Sequence, residues 1–154
     1  MPYFLTPGNP QKPVPARPSE ICIVERARRA CQLWQEQDCF SGVNTFKEDR
    51  SDFTGVRIAW EAFLTELREW QSKDRPLKTL IYPALGVTRE QLFFYAQAIP
   101  FCVPYEWSQH MERDVHSAHR IRVNMMHSNM EEFAEAFNCK PGDRMVQRPT
   151  CPYF

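Results

Sequence analysis

Apolar residues recur every three or four positions in two parts of the chain, as expected for helices that bury one face. The stronger pattern places large apolar side chains on one face of a single helix: Val56, Ala59, Trp60, Phe63, Leu64, Leu67 and Trp70. A weaker pattern starts at Ser19 and predicts a first helix from about Glu20 to Gln35. The residues between the two patterns are typical of a loop: Asp38, Ser41, Gly42 and Asn44.

Two later segments show the Ser/Thr-x-x-Glu/Gln spacing of a capping box, which marks the start of a helix. Thr88 with Gln91 predicts a helix that ends at Pro100. Ser128 with Glu131 predicts another helix, closed by the next Pro-Gly pair along the chain. The sequence therefore predicts a mainly α fold in which irregular, cysteine-bearing loops join the helices.

The start of the chain differs in composition from the rest. Six of the thirteen prolines fall within residues 1–18, and this segment lacks the apolar periodicity that drives burial, so we expect it to be disordered or extended. Residues 19–154 are predicted to form one domain, with a further short helix from Tyr105 to about Arg113 after Pro104.

The charge balance and the apolar runs exclude two classes of partner. Lys plus Arg and Asp plus Glu are equal at 19 each, so no excess of positive charge favours nucleic acid. No apolar run approaches the roughly 20 residues that cross a bilayer, and prolines interrupt every candidate secretory signal. We therefore expect neither a nucleic-acid partner nor a membrane segment in this chain.

Six cysteines are many for 154 residues, and none forms the C-x-x-C pair of a zinc knuckle. Disulfides in an oxidising compartment are the favoured interpretation, because several of these cysteines lie beside Pro, Gly or aromatic loop residues. The alternative is a cytosolic protein with buried free thiols.

Two clusters of side chains suggest chemistry without establishing it. Glu48 and Asp52 are four apart just ahead of the long helix, and they share a face if that helix extends back to them. Such a pair can hold a metal or orient a histidine, or it can form an ordinary charged first turn. His116 and His119 can share an ion only on a helix, which the surrounding residues disfavour. The motifs H-E-x-x-H, G-x-S-x-G and the phosphate-binding glycine loops do not occur.

Four motifs in order resemble the C-terminal catalytic region of the neprilysin and endothelin-converting enzyme family of zinc metallopeptidases. Residues 44–52 read N-T-F-K-E-D-R-S-D and resemble N-T-L-G-E-N-I-A-D in the family. Q-L-F-F at 91–94 precedes Cys102 as in the family, and D-V-H-S at 114–117 precedes R-V-N at 122–124. E-F-A-E-A-F-N-C at 132–139 is followed by Pro-Gly, Met145 and Cys151. The resemblance covers about residues 31–154.

The resemblance implies a role for each matching residue. Glu48 corresponds to the third zinc ligand, and Asp52 to the acid that orients a zinc-bound histidine. His116 corresponds to the residue that stabilises the oxyanion, and Arg122 to the residue that hydrogen-bonds the substrate backbone. Asp49 takes the place of an asparagine that contacts the substrate. Zinc is the implied cofactor, and peptides are the implied substrates.

Several departures from the family pattern limit what the resemblance implies. Lys47 replaces Gly, Asp49 replaces Asn, and Ala118 replaces the Pro after D-V-H-S. The two histidine ligands and the general-base glutamate belong upstream of Glu48, where this chain has its proline-rich start. One carboxylate does not hold zinc against water, so we expect the 154 residues alone not to hydrolyse peptides.

The family also implies disulfides and a location. Its final cysteine pairs with one just before the N-T-x-G-E motif, which implies a bond between Cys31 and Cys151. The partners of Cys102 and Cys139 lie in the family's N-terminal part, which leaves Cys22 and Cys39 as substitutes or unrelated residues. Family and cysteine content together imply an extracellular or cell-surface protein.

The sequence leaves three interpretations open. The chain is the C-terminal region of a zinc metalloendopeptidase that needs a missing N-terminal lobe, or an inactive relative that binds peptides as a decoy. The third possibility is a fragment that leaves its apolar helix faces exposed and does not fold stably without that lobe.

Overall fold

The computed structural model describes residues 17–34, 42–72, 80–82, 86–102 and 115–153. The elements in chain order are α1 (Pro18–Leu33), α2 (Gly42–Ser72), β1 (Leu80–Tyr82), β2 (Val87–Thr88), α3 (Arg89–Ala98), a 3-10 turn (Ile99–Phe101), α4 (His119–Ser128) and α5 (Glu131–Ala136). The two short strands pair antiparallel. The predicted mainly α fold is confirmed, and none of the helices in these ranges is long and apolar enough to span a membrane.

Helix α1 confirms the first predicted helix, with an earlier start. Its first residue is Pro18, which the sequence had placed in the disordered segment; residues 1–16 lie outside the described ranges. Proline suits the first helical position because its fixed φ is already helical and its missing N–H needs no partner there. The Glu20 carboxylate then accepts a hydrogen bond from the Arg17 N–H at 3.2 Å, which caps the helix start.

Helix α2 is one unbroken helix of 31 residues, so the loop predicted at Gly42 and Asn44 is wrong. The other two residues of that predicted loop lie outside the described ranges. Gly42 does not form a turn but allows two helices to pack closely. A Cβ at this position would lie 2.8 Å from the Ala27 Cβ and 2.9 Å from the Val24 carbonyl oxygen. Helices α1 and α2 therefore cross closely at this glycine.

The core of the fold is an aromatic cluster around Trp60 of α2. Its ring stacks on Phe94 of α3, with centroids 5.3 Å apart and an interplanar angle of 18°, and it also contacts Phe63 and Phe93. Phe133 meets Phe94 edge to face at 5.1 Å. The predicted faces of the long helix and of the helix after Thr88 thus meet at Trp60, Phe63 and Phe93, whereas Trp70, predicted on the same face, is 44% exposed.

His127 of α4 lies inside this cluster and is 3% exposed. Its ring stacks on Phe133 at 5.2 Å, and its Nε2 lies 2.8 Å from the Gln97 Oε1. Burial lowers the pKa of His127 to about 4, so the imidazole is neutral at physiological pH and donates its Nε2–H to that oxygen. Gln97 thereby provides a hydrogen-bond acceptor for the imidazole N–H that α4 buries among the aromatic rings.

The two predicted capping boxes have different outcomes. At α3, Thr88 Oγ1 accepts from the Gln91 N–H at 3.2 Å and Gln91 Oε1 accepts from the Thr88 N–H at 3.0 Å, which confirms the first. The second is wrong, because Ser128 is the last residue of α4 and its hydroxyl donates back to the Met125 carbonyl. Helix α5 starts after Met130 and ends at Ala136, before the Pro-Gly pair.

Two further predictions concern the segment before α4. The short helix predicted from Tyr105 to Arg113 lies outside the described residues. The expectation that the residues around His116 and His119 are not helical holds for residues 115–118 and is wrong from His119 onward, because His119 is the first residue of α4. Local sequence underestimates this helix because the side chains that stabilise it, Ile121, Met125 and Met126, are buried against α1, α2 and α3.

The C-terminal segment has no regular secondary structure and is held by side chains. Cys151 forms a disulfide with Cys22 of α1, and Asn129 accepts from the Cys151 N–H at 2.6 Å and donates to its carbonyl at 3.1 Å. The pairing of Cys31 with Cys151 implied by the resemblance is therefore wrong. Positions 22 and 31 are nine residues apart, roughly two and a half helical turns, so they face opposite sides of α1 and only one faces Cys151.

We expect the Cys22–Cys151 disulfide to contribute substantially to stability, because it closes a loop with a sequence separation of 129. Replacing both cysteines with alanine should lower the free energy of unfolding by about 2–5 kcal/mol in a urea titration. The matched control replaces Cys102 and Cys139, which are free thiols, and should change it far less. Equal losses in the two double variants would contradict this account.

Candidate functional site

An ion pair between α2 and α4 organises the site that the sequence predicts. Arg122 donates from Nε to Asp52 Oδ2 at 2.6 Å and from Nη2 to Asp52 Oδ1 at 2.8 Å. The two side chains are 16% and 13% exposed. These two parallel charge-assisted hydrogen bonds, a fork formed where little water reaches, fix the orientation of both groups. Asp52 also raises the pKa of Arg122, which stays charged.

One side of the Arg122 guanidinium remains available to a ligand. Its Cζ lies over the Phe101 ring, 5.0 Å from the ring centroid. Among the residues that the structure describes, none accepts a hydrogen bond from Nη1. Arg122 therefore presents two unused N–H groups in a fixed direction, which suits a carbonyl oxygen or a carboxylate.

Glu48 and His116 form the outer part of the site. Glu48 lies one turn before Asp52 on α2, and its Oε2 is 3.6 Å from the His116 Nε2. This distance exceeds that of a hydrogen bond, and the two side chains are 41% and 40% exposed, so solvent screens their attraction. Glu48 nevertheless lies close enough to raise the pKa of Arg122. The structure thus brings Glu48, Asp52, His116 and Arg122 into one region.

Asp49 lies beneath this region and is 1% exposed. One carboxylate oxygen accepts from the Thr45 hydroxyl at 2.7 Å and from the Ser117 hydroxyl at 3.0 Å. The other oxygen is buried with no hydrogen-bond partner. Burial raises the pKa of Asp49 to about 6, against the lowering effect of the two hydroxyls. A substrate contact at Asp49, as the resemblance implied, would require this carboxylate to be uncovered.

Sequence reasoning assigned no role to three residues of this region: Thr45, Ser117 and Phe101. Thr45 and Ser117 belong to the N-T and D-V-H-S motifs, but the resemblance assigned neither of them a role. The hydroxyl of Ser117 lies 3.0 Å from that of Thr45, 72 positions away in sequence. Only the tertiary arrangement of α2 and the segment before α4 reveals these contacts.

The described residues do not by themselves fit a zinc ion. Catalytic zinc takes three protein ligands, and the described ranges contain no group of three His, Cys, Asp or Glu side chains able to hold a metal. His119 does not join His116 as a pair of ligands aimed at Glu48, since its ring lies beside Phe101 with centroids 6.1 Å apart. Glu48 is one carboxylate beside an exposed histidine.

A groove of ≈ 610 Å³ lies on another face of α2. Its lining includes Lys47, Arg50, Thr54 and Ile58, and none of the predicted site residues. The candidate site is therefore a surface built on side chains rather than this groove.

Comparison with known proteins decides the family. The model of peptidase family M13 matches residues 18–153, which is most of the chain. The chain belongs to peptidase family M13. Its similarity to individual members is also clear: it is 36% identical over 114 residues to Neprilysin-3 of Drosophila melanogaster, a match that covers 72% of this chain and 14% of that protein.

Two further relatives show the same pattern. Membrane metallo-endopeptidase-like 1 of Homo sapiens is 35% identical over 136 residues, which cover 86% of this chain and 17% of that protein. Endothelin-converting enzyme 1 of Cavia porcellus is 35% identical over 114 residues, which cover 72% of this chain and 14% of that protein. This M13 chain thus spans about one-seventh to one-sixth of the length of these relatives.

Asp49 generates a pH prediction for this M13 chain. Its folded-state pKa of about 6 exceeds the ordinary value of 3.8, so the folded state prefers the protonated acid. Well below pH 4 the carboxyl is protonated in both the folded and the unfolded state, and Asp49 does not affect stability. As the pH rises from about 4 to about 6, the unfolded state ionises before the folded state, so the free energy of unfolding falls, by up to about 3 kcal/mol for a shift of about two pKa units, and it levels off above about pH 6.

The variant Asp49→Asn keeps an acceptor for Thr45 and Ser117 and cannot ionise. Its stability relative to the unchanged chain should therefore rise by about 3 kcal/mol between pH 4 and pH 8. Chemical denaturation of both proteins at each pH measures this difference, in which all other titrating groups cancel. A difference that is constant with pH would show that the carboxylate is not buried as described.

Proposed function

We propose that this chain forms one wall of the peptide-binding cleft of a zinc metalloendopeptidase. The observation that carries the proposal is the Arg122 guanidinium, which Asp52 holds through Nε and Nη2, while no described residue accepts a hydrogen bond from Nη1. A buried, oriented cation with unused donors is costly to maintain and serves the recognition of a carbonyl or carboxylate. M13 membership makes a peptide the natural source of that carbonyl.

In this proposal each residue has a distinct task toward the peptide. Arg122 donates from Nη1 to a backbone carbonyl oxygen of the substrate. His116, 40% exposed, donates its Nε2–H to the carbonyl that is attacked, where negative charge develops. Asp52 keeps Arg122 aligned, and each of its oxygens retains a further lone pair for a second donor.

Zinc enters the proposal through Glu48 alone. Peptidases of family M13 are zinc-dependent, and the resemblance of residues 44–52 to the family's N-T-L-G-E-N-I-A-D motif implies that Glu48 is the third ligand. The 154 residues contain no H-E-x-x-H, so this chain supplies one ligand of a site whose other ligands come from elsewhere. By this reasoning the chain alone binds peptides without hydrolysing them, and its proteolytic role requires an N-terminal lobe that carries the two histidines.

The second candidate function is that of an inactive peptide-binding or decoy protein. It is favoured by the same two observations: no metal-holding cluster among the described side chains, and an intact arginine for the peptide backbone. An oxidising location, extracellular or on the cell surface, suits both candidates, because the C-terminal segment depends on a disulfide. They differ in whether a partner polypeptide that brings histidines restores hydrolysis.

The zinc content of the purified chain tests the assignment of Glu48. After incubation with equimolar zinc and removal of free metal, elemental analysis should find far less than one zinc per chain, because one exposed carboxylate is insufficient. The variant Glu48→Gln should give the same result. Stoichiometric zinc that is lost in the Gln variant would show that this chain builds a complete metal site.

Peptide affinity tests the role of Arg122. The variant Arg122→Lys keeps the charge and loses the fork, so the Kd for a fluorescein-labelled, blocked hexapeptide with a central Phe-Leu pair should rise on the order of tenfold. Fluorescence anisotropy measures this Kd, and a thermal melt of each protein confirms that it is folded.

The matched control for this experiment is Arg120→Lys, an exposed arginine on the same helix. It should bind the peptide as the unchanged chain does. The double variant Asp52→Asn with Arg122→Gln removes the ion pair without leaving a buried charge, and it should bind as weakly as Arg122→Lys or more weakly. Equal affinity in all four proteins would refute the proposed binding surface.

A further inference from the structure

Two contacts hold the Arg122 guanidinium, and they constrain different motions. The Asp52 carboxylate takes the Nε and Nη2 donors and fixes the rotation of the group within its own plane. The Arg122 Cζ also lies over the Phe101 ring, 5.0 Å from its centroid, so the ring bounds the guanidinium on that side and limits its displacement. Together they fix the direction in which Nη1 points.

Phe101 is itself held firmly. It ends the 3-10 turn Ile99–Phe101, which the Cys102 N–H closes on the Ile99 carbonyl at 2.9 Å. Pro100 restricts the backbone in the middle of this turn. The ring packs against the hydrophobic core and faces His119, which lies three residues before Arg122 on α4. The platform is therefore set by the fold and does not depend on a bound ligand.

We propose that Phe101 is a positioning residue for peptide binding, acting through Arg122. This inference rests on the function proposed above and adds a residue to it. The attraction between the ring and the cation is strong here because the Arg122 side chain is 16% exposed, so water competes weakly for the guanidinium. An aliphatic side chain would fill the same space and would offer no negative face to the cation.

The competing explanation is that Phe101 only fills the core. Leucine preserves apolar packing and removes the π face, whereas tryptophan preserves and strengthens the π face. The two substitutions therefore separate packing from orientation. Phe137→Leu is the matched control, because Phe137 is a partly buried ring that contacts Phe133 and Tyr95 and does not contact Arg122.

The experiment uses the full chain and two readouts. Hydrogen exchange at the Arg122 Nε–H, followed by NMR, reports how firmly the guanidinium is held without any peptide. Anisotropy with the labelled, blocked Phe-Leu hexapeptide reports affinity. Phe101→Leu should accelerate the exchange and weaken peptide binding on the order of tenfold. Phe101→Trp should leave both near the values of the unchanged chain, and Phe137→Leu should lower the melting temperature without altering the Nε–H exchange.

The outcomes separate this inference from the function on which it rests. If the unchanged chain does not bind the hexapeptide, the proposed function fails, and the Nε–H exchange alone decides whether Phe101 positions Arg122. If Phe101→Leu leaves exchange and affinity unchanged, or if Phe101→Trp behaves like Phe101→Leu, the ring does not position the arginine and the inference is overturned.

Discussion

The face of α2 that points into the protein changes character along its length, and the rest of the structure depends on that change. Around the middle of the helix, Phe53, Val56 and Trp60 build the apolar core. In the first half, the same period places Thr45, Asp49 and Asp52 toward α4. Because buried polar groups must find partners, the segment at Ser117 and Arg122 has to meet this half of the helix at hydrogen-bonding distance. Fold and site are therefore set by one helix.

A buried ion pair and a buried carboxylate are costly features for a small core. Replacing a buried pair with apolar residues is often neutral or stabilising, so stability alone does not account for Asp52 and Arg122. Asp49 adds a carboxylate with one unpartnered oxygen and a raised pKa. This loss of stability is explained if Arg122 is needed to bind a ligand. The C-terminal disulfide and the Asn129 hydrogen bonds stabilise the segment that packs beside it.

The sequence predicted the elements whose signals are local. The apolar period from Val56 to Trp70 and the capping box at Thr88 both describe real helices, because each contact involved lies within about one turn. It failed where partners are distant. Gly42 was predicted to lie in a loop but packs against α1, and Ser128 was predicted to cap a helix start but is the last residue of α4. In both cases the role of the residue depends on tertiary packing, which the local sequence does not show. The pairing of Cys22 with Cys151 spans 129 positions and has no local signal.

The candidate site was found through family resemblance rather than through residue spacing. Spacing alone left Glu48 and Asp52 either as a functional pair or as an ordinary charged first turn, and it gave no reason to connect Asp52 with Arg122, 70 positions away. The structure adds that connection, together with the Phe101 platform and the burial of Asp49. The family match over residues 18–153 supports the peptidase context, and the arrangement around Arg122 supports the binding role.

An NMR titration of the isotope-labelled chain with the blocked Phe-Leu hexapeptide tests the central claim most directly, because it locates the ligand. We predict the largest shift changes at the Arg122 Nε–H and the His116 ring, with smaller changes along the first half of α2. Changes centred on the exposed face around Ile58, or no change at saturating peptide, would contradict the claim that this chain forms a peptide-binding wall.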